Sequence, residues 1–106
     1  MKHILMFRLP SGEVPYERWY LRLPVFTQAR ISAFVKRVAS GGSRKNIKPV
    51  GDGVFEIKID IGPGYRVYFG EEGSEIILLL LGGNKSSQKR DIKQAKEYWR
   101  LENGKR

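Results

Sequence analysis

A chain of 106 residues has room for one hydrophobic core and not for two, and 41% hydrophobic with 29% charged residues excludes collagen-like, low-complexity and disordered classes. Twenty Lys and Arg against eleven Asp and Glu leave a formal net charge of +9, which points to a polyanionic or acidic partner. No cysteine and a single histidine exclude a disulfide framework, a thiolate metal site and a cysteine nucleophile, so no metal and no cofactor is expected, and the cytoplasm is the expected compartment.

His3 to Leu9 reads as a first strand, ended by the turn residues Pro10, Ser11 and Gly12; Arg8 and Pro10 interrupt its apolar stretch, and it does not read as a signal peptide. Val14 to Leu23 reads as a short helix with Pro15 in its first turn. After Pro24 a second helix is marked by Ile31, Phe34, Val35 and Val38 at one-face spacing and closed by Gly41 and Gly42. Ser43 to Lys48 reads as a basic loop carrying Arg44, Lys45 and Lys48, followed by Pro49 and the turn Gly51-Asp52-Gly53.

From Val54 the period becomes two, with Phe55, Ile57, Ile59 and Ile61 on one face and Glu56, Lys58 and Asp60 on the other. Gly62-Pro63-Gly64 turns the chain into a strand from Tyr65 to Phe69, where Arg66 and Tyr68 share the polar face and Arg66 is expected to be partly exposed. Glu71 to Ser74 reads as a hairpin turn. Glu75 to Leu81 is apolar at nearly every position, as expected of a central strand covered on both faces. Its apolar run, Ile76 to Leu81, falls far short of the roughly 20 residues a membrane-spanning helix needs, and no membrane partner is expected. After Gly82 to Lys85, Ser86 or Ser87 can cap a last helix whose apolar stripe is Ile92, Ala95 and Trp99, with Leu101 to Arg106 fraying. The expected class is α+β, in the order βααβββα, with a small mainly antiparallel sheet, an N-terminal helix pair and a C-terminal helix.

Two stretches carry a resemblance: Gly51-Asp52-Gly53-Val54-Phe55-Glu56-Ile57-Lys58-Ile59-Asp60-Ile61-Gly62-Pro63-Gly64-Tyr65-Arg66-Val67-Tyr68-Phe69, and Leu80-Leu81-Gly82-Gly83-Asn84-Lys85-Ser86-Ser87-Gln88-Lys89-Arg90-Asp91-Ile92-Lys93-Gln94-Ala95. Over essentially its whole length the chain resembles the RelE/ParE toxin superfamily, in particular its HigB-like addiction-module killer branch. The resemblance implies one toxin domain, residues 1–106, with a RelE-like fold, held inactive by a cognate antitoxin. It also implies ribosome-dependent cleavage of messenger RNA without a metal. In that chemistry a ribose 2′-hydroxyl attacks its own phosphate while cations hold the developing charge.

Carried over by position, Arg66 stands where the family's strand arginine binds the scissile phosphate, Lys58 where RelE-type toxins place a lysine, and Lys85 near a further basic position. Glu56 departs from the pattern, since RelE has a lysine there; a carboxylate can act as base or pair with Lys58 or Arg66. Asp91 occupies the place of the RelE C-terminal tyrosine, and Tyr68 and Tyr98 are nearby candidates without a motif match. Arg44, Lys45, Lys48, Tyr68, Lys89, Arg90 and Lys93 are the expected RNA contacts. A non-enzymatic gyrase poison of the ParE type and a bare RNA-binding module are the competing readings. Convergence of Arg66, Lys58 and Lys85 on one cleft favours the nuclease, and an apolar uncharged face there favours the gyrase poison.

Overall fold

The computed structural model describes residues 2–104. Its order is β1 (His3–Met6), α1 (Pro15–Tyr20), α2 (Val25–Ala39), β2 (Ile47–Gly51), β3 (Val54–Ile59), β4 (Tyr65–Glu72), β5 (Ile76–Asn84), a 3-10 turn (Lys85–Ser87) and α3 (Gln88–Asn103). The class is α+β as expected, with a strand more than the sequence indicated: Ile47–Gly51, read as basic loop and turn, is β2. It pairs antiparallel with β3 through the Asp52-Gly53 turn, both of whose residues have positive φ, the geometry that matches the twist of a two-residue hairpin. Pro49 is accepted because β2 is an edge strand, where a missing N–H costs no ladder bond.

The five strands lie in the order β1-β5-β4-β3-β2, antiparallel except for the parallel β1–β5 pair. Both long strands outrun their sequence limits. β4 continues through Glu71 and Glu72, and β5 through Gly82, Gly83 and Asn84, while β1 stops at Met6. α1 is shorter than expected, and α3 keeps its turns through Leu101 to Asn103 where fraying was expected; Lys105 and Arg106 lie outside the described residues.

Each face of the sheet is covered. Ile31, Val35, Val38 and Ala39 of α2 and Tyr16 of α1 pack with Ile57, Ile59, Val67, Phe69, Ile77 and Leu79. Ala95 of α3 packs with Phe7, Val54, Tyr68, Leu78 and Leu80, joined by Ile92 and Trp99. Each such fully buried aliphatic side chain contributes about 1.5–3 kcal/mol.

A β-bulge explains why β5 reads as unbroken apolar sequence. Tyr68 pairs with Leu81 and Phe69 with Leu79, so Leu80 is the extra residue, and Leu80 and Leu81 both join the α3-side cluster. The glycines that follow are needed for close approach. A Cβ at Gly82 would overlap the Trp19 ring, and one at Gly83 the Asp91 carboxylate; at Gly70 of β4 it would overlap Trp99. Among the described residues no helix is long and apolar enough to cross a membrane.

Candidate functional site

The alternation of β3 and β4 places Glu56, Lys58, Arg66 and Tyr68 on the face that α3 covers. Two cross-strand rows run side by side there: Lys48 of β2 opposite Glu56, which is opposite Tyr68, and Lys58 opposite Arg66, which is opposite Gly83 of β5. α3 shields only part of this face. It starts at Gln88, whose Nε2 donates to Glu56 Oε2 at 2.9 Å, and runs away over Tyr68 and Gly70. The uncovered end is a groove of about 450 Å³ lined by Lys45, Asn46, Ile47, Lys48, Glu56, Lys58, Asp60, Arg66 and Gln88.

Its floor holds a buried ion pair. Glu56 is 1% and Arg66 6% exposed, and Arg66 Nε lies 3.7 Å from Glu56 Oε1. Arg66 Nη1 donates to the Gly64 carbonyl at 3.2 Å, but Nε is buried without a hydrogen-bond partner. A sheet-face arginine was expected to be partly exposed; Arg66 is buried instead. Lys48 Nζ lies 3.8 Å from Glu56 Oε1, and the exposed Lys58 has Asp60 Oδ1 at 3.8 Å. Beside the floor, Ser87 Oγ donates to Asp91 Oδ2 at 2.5 Å, and the Asp91 carboxylate occupies the space left by the missing Gly83 side chain. A capping box, in which Asn84 and Ser87 satisfy each other's backbone donors, holds the 3-10 turn ahead of α3 and so fixes where Gln88 enters.

Of the expected site residues, Arg66, Lys58, Glu56, Lys45 and Lys48 come together. Lys85 begins the exposed 3-10 turn and does not line the groove, and Lys89, Arg90 and Lys93 lie outside it along α3. Arg44 is committed elsewhere, its Nη2 bonded to Glu71 at 3.0 Å and its guanidinium over the Phe55 ring. Tyr68 is corrected as an RNA contact: it is fully buried beneath α3, so its ring has no free face for a base. Burial, and after it the Glu56 charge, push its phenol well above the usual tyrosine range, and its hydroxyl makes no hydrogen bond.

Gln88 and Asp91 are the members that sequence reading did not assign to the site. Their signal was positional, a polar first turn directly after a capped Asn84-x-x-Ser87 step. Among the described residues no three His, Asp or Glu side chains gather in one place. The groove presents the rim cations Lys45, Lys48 and Lys58 to an oxyanion, above the buried Arg66–Glu56 pair.

The family model for phage-derived protein Gp49-like (DUF891) matches residues 18–99. An uncharacterized protein from Haemophilus influenzae (strain Rd) is 44% identical over 82 residues, covering 76% of this chain and 82% of that protein. The aligned region takes in α2 and every strand but β1 as well as most of α3, and by that match the chain belongs to the phage-derived Gp49-like family.

Proposed function

We propose that the chain is the toxin of a type II toxin–antitoxin pair, a single RelE-like domain that cuts messenger RNA on the ribosome. Membership of the Gp49-like family, a toxin-like family of the RelE/HigB addiction-module type, supports the toxin reading. The observation that carries the nuclease reading is Arg66: a buried guanidinium with an unmet donor, at the floor of a groove rimmed by Lys45, Lys48 and Lys58. Buried unmet donors are rare in folded proteins, and a phosphate seated in the groove would meet the part of the Arg66 guanidinium that lines it. A groove of this charge also offers little to the apolar docking expected of a gyrase poison.

In this reading Arg66 and the lysines hold the scissile phosphate and its developing negative charge. Glu56, oriented by the Gln88 amide, takes the proton of the ribose 2′-hydroxyl, whose oxygen then attacks the adjacent phosphorus. The 5′-oxygen of the next nucleotide leaves and takes up a proton from water at the open mouth of the groove, giving a 2′,3′-cyclic phosphate and a 5′-hydroxyl. The nucleophile is internal to the RNA, so no metal-activated water is required.

The test is induction without antitoxin, followed by mapping of RNA ends on translated messages. Cuts within codons that vanish when translation is blocked, with cyclic or 3′-phosphate ends, are the expected result. Arg66→Ala, checked for folding by circular dichroism, lowers cleavage about 100-fold or more, the usual effect of removing one charge-stabilising donor. Ends bearing 3′-hydroxyl, or full toxicity of folded Arg66→Ala at matched expression, refute the mechanism.

A further inference from the structure

Arg44 opens the segment that rims the groove, yet its side chain is tied elsewhere. Its carbonyl accepts from the Ile47 amide at 3.0 Å, which closes a turn with Lys45 and Asn46 at the tip. Both tip residues, and Lys48 beyond them, line the Arg66 groove; Arg44 does not. The Asn46 carbonyl accepts from the Lys58 amide at 2.9 Å, so the tip has one main-chain link to the sheet.

The side-chain link runs to the opposite face of that sheet. Glu71 follows Phe69 by two residues on β4, and alternation puts both on the face that α1 and α2 cover. Arg44 Nη2 donates to Glu71 Oε1 at 3.0 Å, and Lys2 Nζ donates to Oε2, so each carboxylate oxygen is engaged. The Arg44 guanidinium also lies 6.0 Å from the centroid of the Phe55 ring, which stacks in turn on Phe69. An exposed ion pair on its own holds a side chain weakly. Here the carboxylate side chain is only 19% exposed, and the ring restricts where the planar guanidinium can lie. Reaching a phosphate in the groove would cost Arg44 both contacts.

We propose that Arg44 and Glu71 form an anchor that sets the Lys45–Lys48 rim over the groove, Arg44 being a positioning residue and not an RNA contact. This rests on the nuclease reading above and names what holds that site's cations in place. β2 is an edge strand with a neighbour on one side only, so the turn that leads into it gains from a second tether. A turn fixed before binding lowers the cost of ordering Lys45 and Lys48 around an RNA strand.

The two roles for Arg44 make opposite predictions for Glu71→Val, which deletes the acceptor and keeps a strand-forming residue. An RNA-contacting Arg44 is released toward the phosphates and binding tightens; an anchor is lost and binding weakens. The probe is ribosomes programmed with a message that carries 2′-deoxyribose at the mapped cut site, so that binding is read without cleavage. Glu71→Val and Arg44→Ala each weaken binding about fivefold, and the double variant loses no more than either alone, because the two residues act as one unit. Lys2→Ala, which leaves the Arg44 bond in place, changes nothing. Hydrogen exchange on the free protein gives the structural readout. The amides of Ile47 and Lys58, bonded to the Arg44 and Asn46 carbonyls, exchange at least about threefold faster in both variants. Tighter binding by Glu71→Val overturns the anchor and makes Arg44 an RNA contact, and losses that add in the double variant overturn the pairing. Faster exchange with unchanged binding overturns the positioning role and leaves the nuclease reading standing. A parent protein that neither binds programmed ribosomes nor cuts their message overturns both.

Discussion

The two faces of the sheet bury side chains for opposite ends. The face under α1 and α2 is packed by apolar side chains, among them Ile57, Ile59, Val67, Phe69, Ile77 and Leu79. The face under α3 is divided: apolar beneath Ile92, Ala95 and Trp99, then polar where the helix has not yet begun, with Glu56 and Arg66 buried at the boundary. A sheet covered by a helix that starts late leaves strand positions enclosed at their sides and open above. Charged side chains there are held rigidly by the scaffold yet remain within reach of a ligand.

The largest expected effect separates these two kinds of burial on one strand. Glu56→Ala leaves Arg66 enclosed without its carboxylate and costs about 3–5 kcal/mol, whereas replacing both residues with Met is neutral or stabilising, because a buried pair returns little beyond its own desolvation. Ile57→Ala, one residue along and facing α2, costs about 2–5 kcal/mol through the cavity it leaves. No second substitution opposite Glu56 restores that loss. Urea unfolding of the four proteins gives the comparison, and a Glu56→Ala cost under about 1 kcal/mol would mean that Arg66 is solvated after all.

How much of this could be read in the chain follows from the same division. The period of two from Val54 correctly put Glu56 and Lys58 opposite Ile57 and Ile59, and the stripe of α2 correctly named Ile31, Val35 and Val38 as core. What period cannot supply is cover. Whether Glu56 lies in water or in a wall depends on α3 starting at Gln88, a contact 32 residues away in sequence. β2 was hidden because edge strands take Pro and Lys, the residues that otherwise signal a loop. Gly82 and Gly83 were hidden because glycine is a poor strand former in isolation; they are strand residues here since Trp19 and Asp91 need the room. The resemblance pointed to Arg66 and Lys58 as site residues without the burial that distinguishes them from each other.

A smaller effect appears in alkali, where each face holds one enclosed phenol. Burial, with the neighbouring Tyr20 second, pushes Tyr16 above the usual tyrosine range; burial and then the Glu56 charge do the same for Tyr68. In the unfolded chain both titrate near 10. Above that pH the unfolded state sheds protons that the folded state keeps, so stability is fully present below about pH 10 and falls as pH rises beyond it. Tyr16→Phe and Tyr68→Phe each flatten the decline in urea titrations run from pH 8 upward. Tyr68→Phe also removes a buried hydroxyl with no hydrogen bond, so it alone is expected to match or exceed the parent at neutral pH. Equal pH slopes in parent and both variants would place the phenols in solvent contact.

The smallest effect tests where a nucleic-acid strand runs on the divided face. Lys45, Lys48 and Lys58 rim the groove, while Lys89 and Lys93 are exposed on α3 outside it. A surface change such as Lys58→Ala shifts stability by no more than about 0.5 kcal/mol, so its influence is read in binding. If Arg66 and the three rim lysines each meet a phosphate of one single strand, log affinity falls with log salt at a slope near −3, since each contact contributes about −0.7. Lys58→Ala then lowers the slope by about 0.7 and leaves the cleavage position where it was, because phosphate contacts set register without reading bases. Lys89→Ala and Lys93→Ala leave the slope unchanged if the strand is confined to the open end of the sheet. The reverse pattern, with the slope insensitive to Lys58 and reduced at Lys89 and Lys93, moves the strand onto the outer surface of α3. Arg66 would then be a structural partner of Glu56 alone, and the two faces would differ only in how they are packed.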